Sequence, residues 1–232
     1  MSFPKRIILS VVIALLLLGC GDDPVEPPND PDTIESEAQL IEALASAYRS
    51  QDLPLFESLF ANDVGAVYSF TRVQGDSVEV LWDSDEETRI HARMFEPQGI
   101  APPEPPLADA LWIEAVQITL TRLEDFSERQ DLYRSDSNPE GLDPERWRAS
   151  EARYTTDVAI AARRTQFRVE GESARFLVIR DLAKNAGETQ RFLILGWEEE
   201  CSSLGGNECW SEVKRLYRST ESGHDAAPAS PR

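Results

Sequence analysis

Positive charge is scarce in this chain of 232 residues: 23 Lys and Arg stand against 42 Asp and Glu, a formal net charge of −19. The cations fall as single Arg residues and short pairs, so no basic stripe exists to neutralise a phosphate backbone, and no nucleic-acid partner is expected. Histidine and cysteine are scarcer still, with only His91 and His224 of the first and three of the second. A zinc or haem site would lack ligands, so neither a resident metal nor a cofactor is expected. No Gly-rich phosphate loop, GxSxG elbow, HExxH or CxxC occurs, which leaves hydrolase, kinase and dithiol chemistry without their usual residues. The longest apolar run has twelve residues, Ile7 to Leu18. As a helix it would cover about 18 Å, against roughly 30 Å for a bilayer core, so a permanent membrane span is the weaker reading of it. What remains is ample: 41% of the residues are hydrophobic and they are spread widely enough to bury the core of one domain.

Lys5 and Arg6 precede the apolar run, and Gly19 and Cys20 close it, the plan of a signal peptide. Leu17-Leu18-Gly19-Cys20 resembles the lipobox of bacterial lipoproteins, in which the leader (here residues 1 to 19) is removed and the Cys thiol carries an acyl chain such as palmitate. The resemblance implies a lipid on Cys20 and a membrane as partner. Residues 20 to 35 then form a tether. Gly21 to Asp32 holds four Pro and five acids, cannot pack, and at ~3.1 Å per residue reaches about 37 Å from the lipid. An Asp directly after the Cys, the inner-membrane retention pattern, is replaced by Gly21. The expected location is therefore a bacterial cell envelope, periplasm-facing, with the outer membrane favoured. With Cys20 acylated, Cys201 and Cys209 are left as a pair. The Gly205-Gly206-Asn207 turn between them predicts a hairpin in which they form a disulfide.

The folded part is expected from 36 to 218, with a polar insertion at 124 to 152 and a disordered tail at 219 to 232. Ser36 and Gln39 have capping-box spacing ahead of a helix reaching about Ser50. Asp52 caps a short helix through Phe60, with Pro54 in its first turn. Val64 to Arg72 and Val78 to Trp82 read as strands, and Ser84 and Glu87 as a second capping box for a helix to about Met94. A five-proline loop, Glu96 to Leu107, follows. Alternation at Val116, Ile118 and Leu120 marks a half-buried strand. Further strands are expected at Tyr154 to Ala162, Thr165 to Val169, Arg175 to Asp181, Arg191 to Trp197 and Trp210 to Tyr217. Helices first and an antiparallel meander last give an α+β domain with helices packed on a curved sheet.

The run EALASAYRSQDLPLFESLFANDVGAVYSF (Glu42 to Phe70) resembles the opening of nuclear transport factor 2-like (SnoaL-like) domains, and RFLILGW and WSEVKRLYR are similar to that family's last two long strands. The resemblance implies a cone: helices laid across a strongly bent antiparallel sheet, with a pocket at the open end and a homodimer formed through the sheet. Enzymes of the family place an acid or base inside the cone, and here His91 and Asp157 are the catalytic candidates, both weak because no motif surrounds them. Tyr48, Phe56, Tyr68, Trp82, Trp112 and Trp197 are the aromatic residues available to line a pocket, or simply to form the core. Asp136, Asn138, Glu140 and Gly141 match part of a calcium loop, but its twelfth position is Trp147, where a bidentate Glu is needed. The sequence thus points to a membrane-anchored lipoprotein whose domain binds a small apolar ligand or a protein without catalysis. The alternative is an isomerase- or dehydratase-type enzyme acting on a small apolar molecule in the cone.

Overall fold

In a computed structural model, residues 34–61, 69–74, 77–96, 107–182, 191–200 and 209–218 are described. The leader, Cys20, the tether up to residue 33, Tyr68, Cys201, the proline loop at 97–106 and the tail at 219–232 lie outside the described residues, and Ile34, expected in the tether, packs in the core at 1% exposure. Among those described, no helix is long and apolar enough to cross a membrane.

Two helices open the domain as the capping residues dictate. Helix α1 (Glu37–Ser50) starts where Ser36 Oγ accepts the Gln39 N–H at 3.2 Å and stops at Gln51, which turns left-handed at φ 53°. Its buried stripe is Leu40, Ile41, Leu44, Ala47 and Tyr48. Helix α2 (Leu53–Ser58) is capped by Asp52, whose Oδ1 accepts from Leu55 N at 2.9 Å. Strands β1 (Ser69–Gln74) and β2 (Ser77–Asp83) form an antiparallel pair, and helix α3 (Ser84–Phe95) follows directly. Its cap is Asp83, which accepts the Glu86 N–H at 3.0 Å, one residue earlier than the spacing suggests. That shift takes Glu87 out of the cap and leaves it buried in the domain.

The remaining strands are β3 (Ile113–Arg122), β4 (Ser127–Glu128), β5 (Trp147–Ala162), β6 (Thr165–Asp181) and β7 (Phe192–Glu200). They complete a sheet in the order β2-β1-β7-β6-β5-β3, with β4 on β5. Every pair is antiparallel except β1 and β7, which run parallel from Ser69 opposite Gly196 to Val73 opposite Glu200. The sheet is therefore mixed. Register shifts at Phe70/Thr71, Ile113/Ala115, Thr156/Val158 and Leu177/Val178 mark bulges, which bend the strands around the helices.

Three expectations differ from the fold. Strand β6 is continuous through Gly171, which sits at φ +67° and kinks the strand where a break is expected. Strand β5 begins at Trp147, six residues inside the expected insertion, because Trp147 and Ala149 pack with Ile179, Leu193 and Leu195 on the outer sheet face. The rest of that insertion lays Leu132, Tyr133 and Leu142 over the same cluster, covering part of the face through which a sheet-to-sheet dimer would form. Trp210 to Tyr217 is not a strand: Trp210–Arg215 is a helix, α4. The reason is topological. β6 flanks one side of β7 and β1 the other, so no edge remains for a further strand to pair with β7.

Glycine tolerates the left-handed conformation that other residues adopt at a cost of about 1–2 kcal/mol. Gly171 has open space around it, so Gly171→Ala should lower stability by about that amount through backbone strain alone. Urea unfolding of the purified domain measures it, and an unchanged midpoint would show that the kink does not need a positive φ.

Candidate functional site

The concave side of the sheet carries Phe70 from β1, Trp82 from β2, Glu172 and Phe176 from β6, and Trp197 and Glu199 from β7. Helices α1, α2 and α3 add Tyr48, Phe56, Glu87 and His91. Helix α4 lies among them rather than outside, and its Trp210 and Lys214, like Tyr217 after it, are completely buried. The cone is thus filled by its own C-terminal segment.

At the centre, the Lys214 ammonium is paired with Glu87 Oε1, and Glu87 Oε2 accepts the Trp82 indole N–H. Burial raises the pKa of Glu87 and lowers that of Lys214, and the charge of each pulls the other back towards its ionised form. The same ammonium lies 4.0 Å from the Phe70 ring centroid, 4.2 Å from Trp197, 5.4 Å from Trp210 and 6.0 Å from Trp82. One turn along α3, His91 Nδ1 donates to the Glu87 carbonyl at 2.8 Å, which leaves Nε2 to accept from the Tyr48 hydroxyl. Burial, helped by the Lys214 charge, depresses the His91 pKa well below its usual value, so the ring is neutral. Burial, with the Glu87 charge, holds the Tyr48 phenol well above its own. Both ring nitrogens of His91 are therefore satisfied, and its face stacks on Phe56 at 3.9 Å.

A second cluster holds the start of α4. Glu199 accepts the Ser211 N–H through both oxygens at 3.0 Å, and Glu172 Oε2 accepts the Trp210 N–H at 3.2 Å. Burial, then the hydrogen bond to Glu199, then the Glu199 charge push the Glu172 pKa up to about 10. At neutral pH Glu172 therefore keeps its proton. Cys209 Sγ and one oxygen of each Glu lie within 4.8 Å of one another. Cys209 is disulfide-bonded, so its sulfur offers no thiolate to a metal. The chain's other cysteines, Cys20 and Cys201, lie outside the described residues.

The sequence candidates are divided by this arrangement. His91, Tyr48, Phe56, Trp82 and Trp197 converge in the cone, but as close-packed core. Trp112 stands apart and half-buried, with its indole N–H on the Leu107 carbonyl at 3.1 Å and the Arg163 guanidinium 4.2 Å over its ring. Asp157 lies at the β5 bulge and accepts the Gly171 N–H at 2.8 Å, so it supports the kink. The Asp136 to Gly141 segment is a tight turn bridging Ser135 and Asn138, and the Asn138 amide N–H is spent on the Asp131 carbonyl. Open clefts lie elsewhere: one of about 270 Å3 between α1 and β3, lined by Ile41, Leu120 and Tyr154, and a shallow one of about 810 Å3 beside Arg49, Phe167 and Arg168. Glu172, Glu199 and Lys214 had no motif to flag them, and Glu87 was flagged only as a capping residue. For Lys214 one signal was present, since Trp210, Val213, Lys214 and Tyr217 recur at helical spacing.

No family model matches the chain, and no curated protein matches it. Solved structures do. A nuclear transport factor 2-like protein of unknown function in nutrient uptake from Rhodospirillum rubrum is 16% identical over 72% of this chain and 98% of its own, with a TM-score of 0.36. A nuclear transport factor 2-like protein with a cystatin-like fold from Novosphingobium aromaticivorans is 11% identical over 92% and 98%, with a TM-score of 0.38. ActVI-ORFA from Streptomyces coelicolor is 10% identical over 70% and 91%, with a TM-score of 0.36. At these identities no activity transfers.

The proton held by Glu172 fixes a sign for the pH dependence of stability. Because Glu172 keeps its proton in the folded chain and loses it when unfolded, its contribution is fully present below the ordinary carboxyl pKa. It declines as pH rises from there towards about 10. Glu172→Gln mimics the protonated form. It should remove this part of the decline and raise stability at pH 9 by about 1 kcal/mol or more, while changing little at pH 4.5. Thermal melts across that range check it, and parallel pH profiles for the two proteins would refute the retained proton.

Proposed function

We propose that the chain is a bacterial envelope lipoprotein, anchored through Cys20 and displaying a nuclear transport factor 2-like domain that works as a non-catalytic binding module. The observation that carries the non-catalytic part is the closed cone. The ionisable groups at the centre of the cone, Tyr48, Glu87, His91 and Lys214, are each no more than 1% exposed and hydrogen-bonded to another group of the chain. In the closed cone a small apolar substrate would have no entry to these groups, and the His91 imidazole, the natural base among them, has both ring nitrogens engaged. The anchoring part is supported by the lipobox-like end of the apolar run and by the proline-rich, acidic stretch after it, which suits a spacer between lipid and domain.

The isomerase or dehydratase reading keeps one favourable observation: a neutral imidazole among aromatic rings, hydrogen-bonded to a phenol. It requires the cone to open and the Tyr48–His91 bond to break before His91 can take a proton from a substrate.

Two measurements test the proposal. Mass spectrometry of the mature chain from its host should find an acylated N-terminal Cys20, and Cys20→Ser should abolish both processing and membrane association; a soluble, processed wild-type chain would refute the anchor. A small molecule that raises the melting temperature of the domain should be recovered unchanged after long incubation. Conversion of that molecule, lost in His91→Gln, would establish the enzyme instead.

A further inference from the structure

The environment of Lys214 is unusual for a structural ion pair. A buried pair is commonly satisfied by several hydrogen bonds, yet among the described residues Glu87 Oε1 is the acceptor found at the ammonium. Four ring faces also surround it, Phe70 at 4.0 Å, Trp197 at 4.2 Å, Trp210 at 5.4 Å and Trp82 at 6.0 Å, all within cation–π range, while the Glu199 and Glu172 carboxyl groups act on it through space. Three of the four rings belong to the scaffold. Phe70 and Trp82 stack on adjacent strands at 4.9 Å and 12°, and Trp197 leans on Phe70 at 5.6 Å. Glu87 is fixed by its own bond from Trp82. Only Lys214 and Trp210 arrive on α4, a helix of six residues, too short to be stable without its contacts.

We propose that Phe70, Trp82, Trp197 and Glu87 form a binding cage for an organic ammonium ion, and that Lys214 on α4 is its built-in occupant. The chemistry selects the ligand class. A site with Glu87 as its hydrogen-bonding carboxylate, π faces around it and the Glu199 and Glu172 carboxyl groups adding negative potential does not need N–H donors from its guest, so an alkylated or quaternary ammonium fits it as well as a lysine does. A small inorganic cation, which requires oxygen ligands to replace its water, fits poorly. In the closed protein the ligand must displace Lys214, so its apparent affinity is reduced by the fraction of time the cage stands open. This inference rests on the binding-module reading above and names its ligand class.

The test uses tetramethylammonium chloride on the full mature chain, with sodium chloride at equal concentration as the control. Lys214→Ala vacates the cage, and tryptophan fluorescence and melting temperature should then report binding at least tenfold tighter than in the wild type. Adding Trp197→Leu should weaken it again by at least tenfold. Equal affinity in wild type and Lys214→Ala, or no binding by a folded Lys214→Ala, would overturn the cage. Because Lys214→Ala leaves Glu87 buried without its partner, a measurement on the wild type covers the case in which the variant does not fold. Tetramethylammonium should raise the rate at which acetic anhydride acylates Lys214 several-fold over the sodium control, read by peptide mass spectrometry, and an unchanged rate would overturn displacement. Chemical alteration of a bound ammonium would leave the cage standing and overturn the non-catalytic reading, so the two failures are distinguishable.

Discussion

The pairing of Lys214 with Glu87 is the contact on which the interior of this protein depends. It joins residues 127 positions apart in the chain and puts two charges where water cannot reach them. Removing one partner from such a pair commonly costs about 3–5 kcal/mol, whereas replacing both with well-packed apolar groups is often neutral. The pair is therefore weak as a source of stability and strong as a constraint: α4 can dock in one position, with Lys214 opposite Glu87. The rings around the ammonium reinforce that position, and the Glu172–Glu199 pair fixes the other end by accepting the first N–H groups of the helix. Two carboxyl groups hold one end of α4 and a third holds its lysine, in a protein whose outstanding compositional feature is excess carboxylate.

The outer face of the sheet is organised differently. Near the Trp147 end it is apolar and capped by the segment from 129 to 142. Farther along the same strands it becomes a lattice of half-exposed ion pairs in which Arg153 meets Glu124 and Glu200, and Arg175 meets Glu198 at 2.7 Å and Glu200 at 3.6 Å. Pairs with this much solvent contact contribute little individually. They do, however, set carboxylates against Arg153 and Arg175, so these cations add no uncompensated positive charge to that face.

Local features were legible in the sequence and distant ones were not. Ser36, Asp52 and the Val116–Leu120 alternation act within a few residues of themselves, so spacing alone located α1, α2 and β3. The Asp83 cap was displaced by one residue because a carboxylate and a hydroxyl stood side by side and either could accept the free N–H groups. Asp157 looked like a lone strand acid because its partner, the Gly171 N–H, lies fourteen residues away across a bulge. Segment 210 to 217 carried a helical period, but the turn signal before it favoured a hairpin. What excluded the hairpin was the parallel placement of β1 beside β7, which no local pattern records. Glu87 read as a capping residue for the same reason: its cation comes from the far end of the chain.

That parallel placement also governs the order in which the fold can be completed. Strands β1 and β2 can pair with each other early, β5 and β6 can pair through a tight connection and β3 can join β5 across residues 123–146, but among the described strands the two groups are joined through β7. Loop closure of this span is entropically slow, and the contacts that reward it come last. A chain emerging from its amino end, whether from a ribosome or across a membrane, would hold two incomplete half-sheets with Phe70 and Trp82 uncovered until residues 192 to 218 appear. The final seventh or so of the domain thus acts as a keystone, and the exposed aromatic face before its arrival is the interval in which a holding chaperone would matter most.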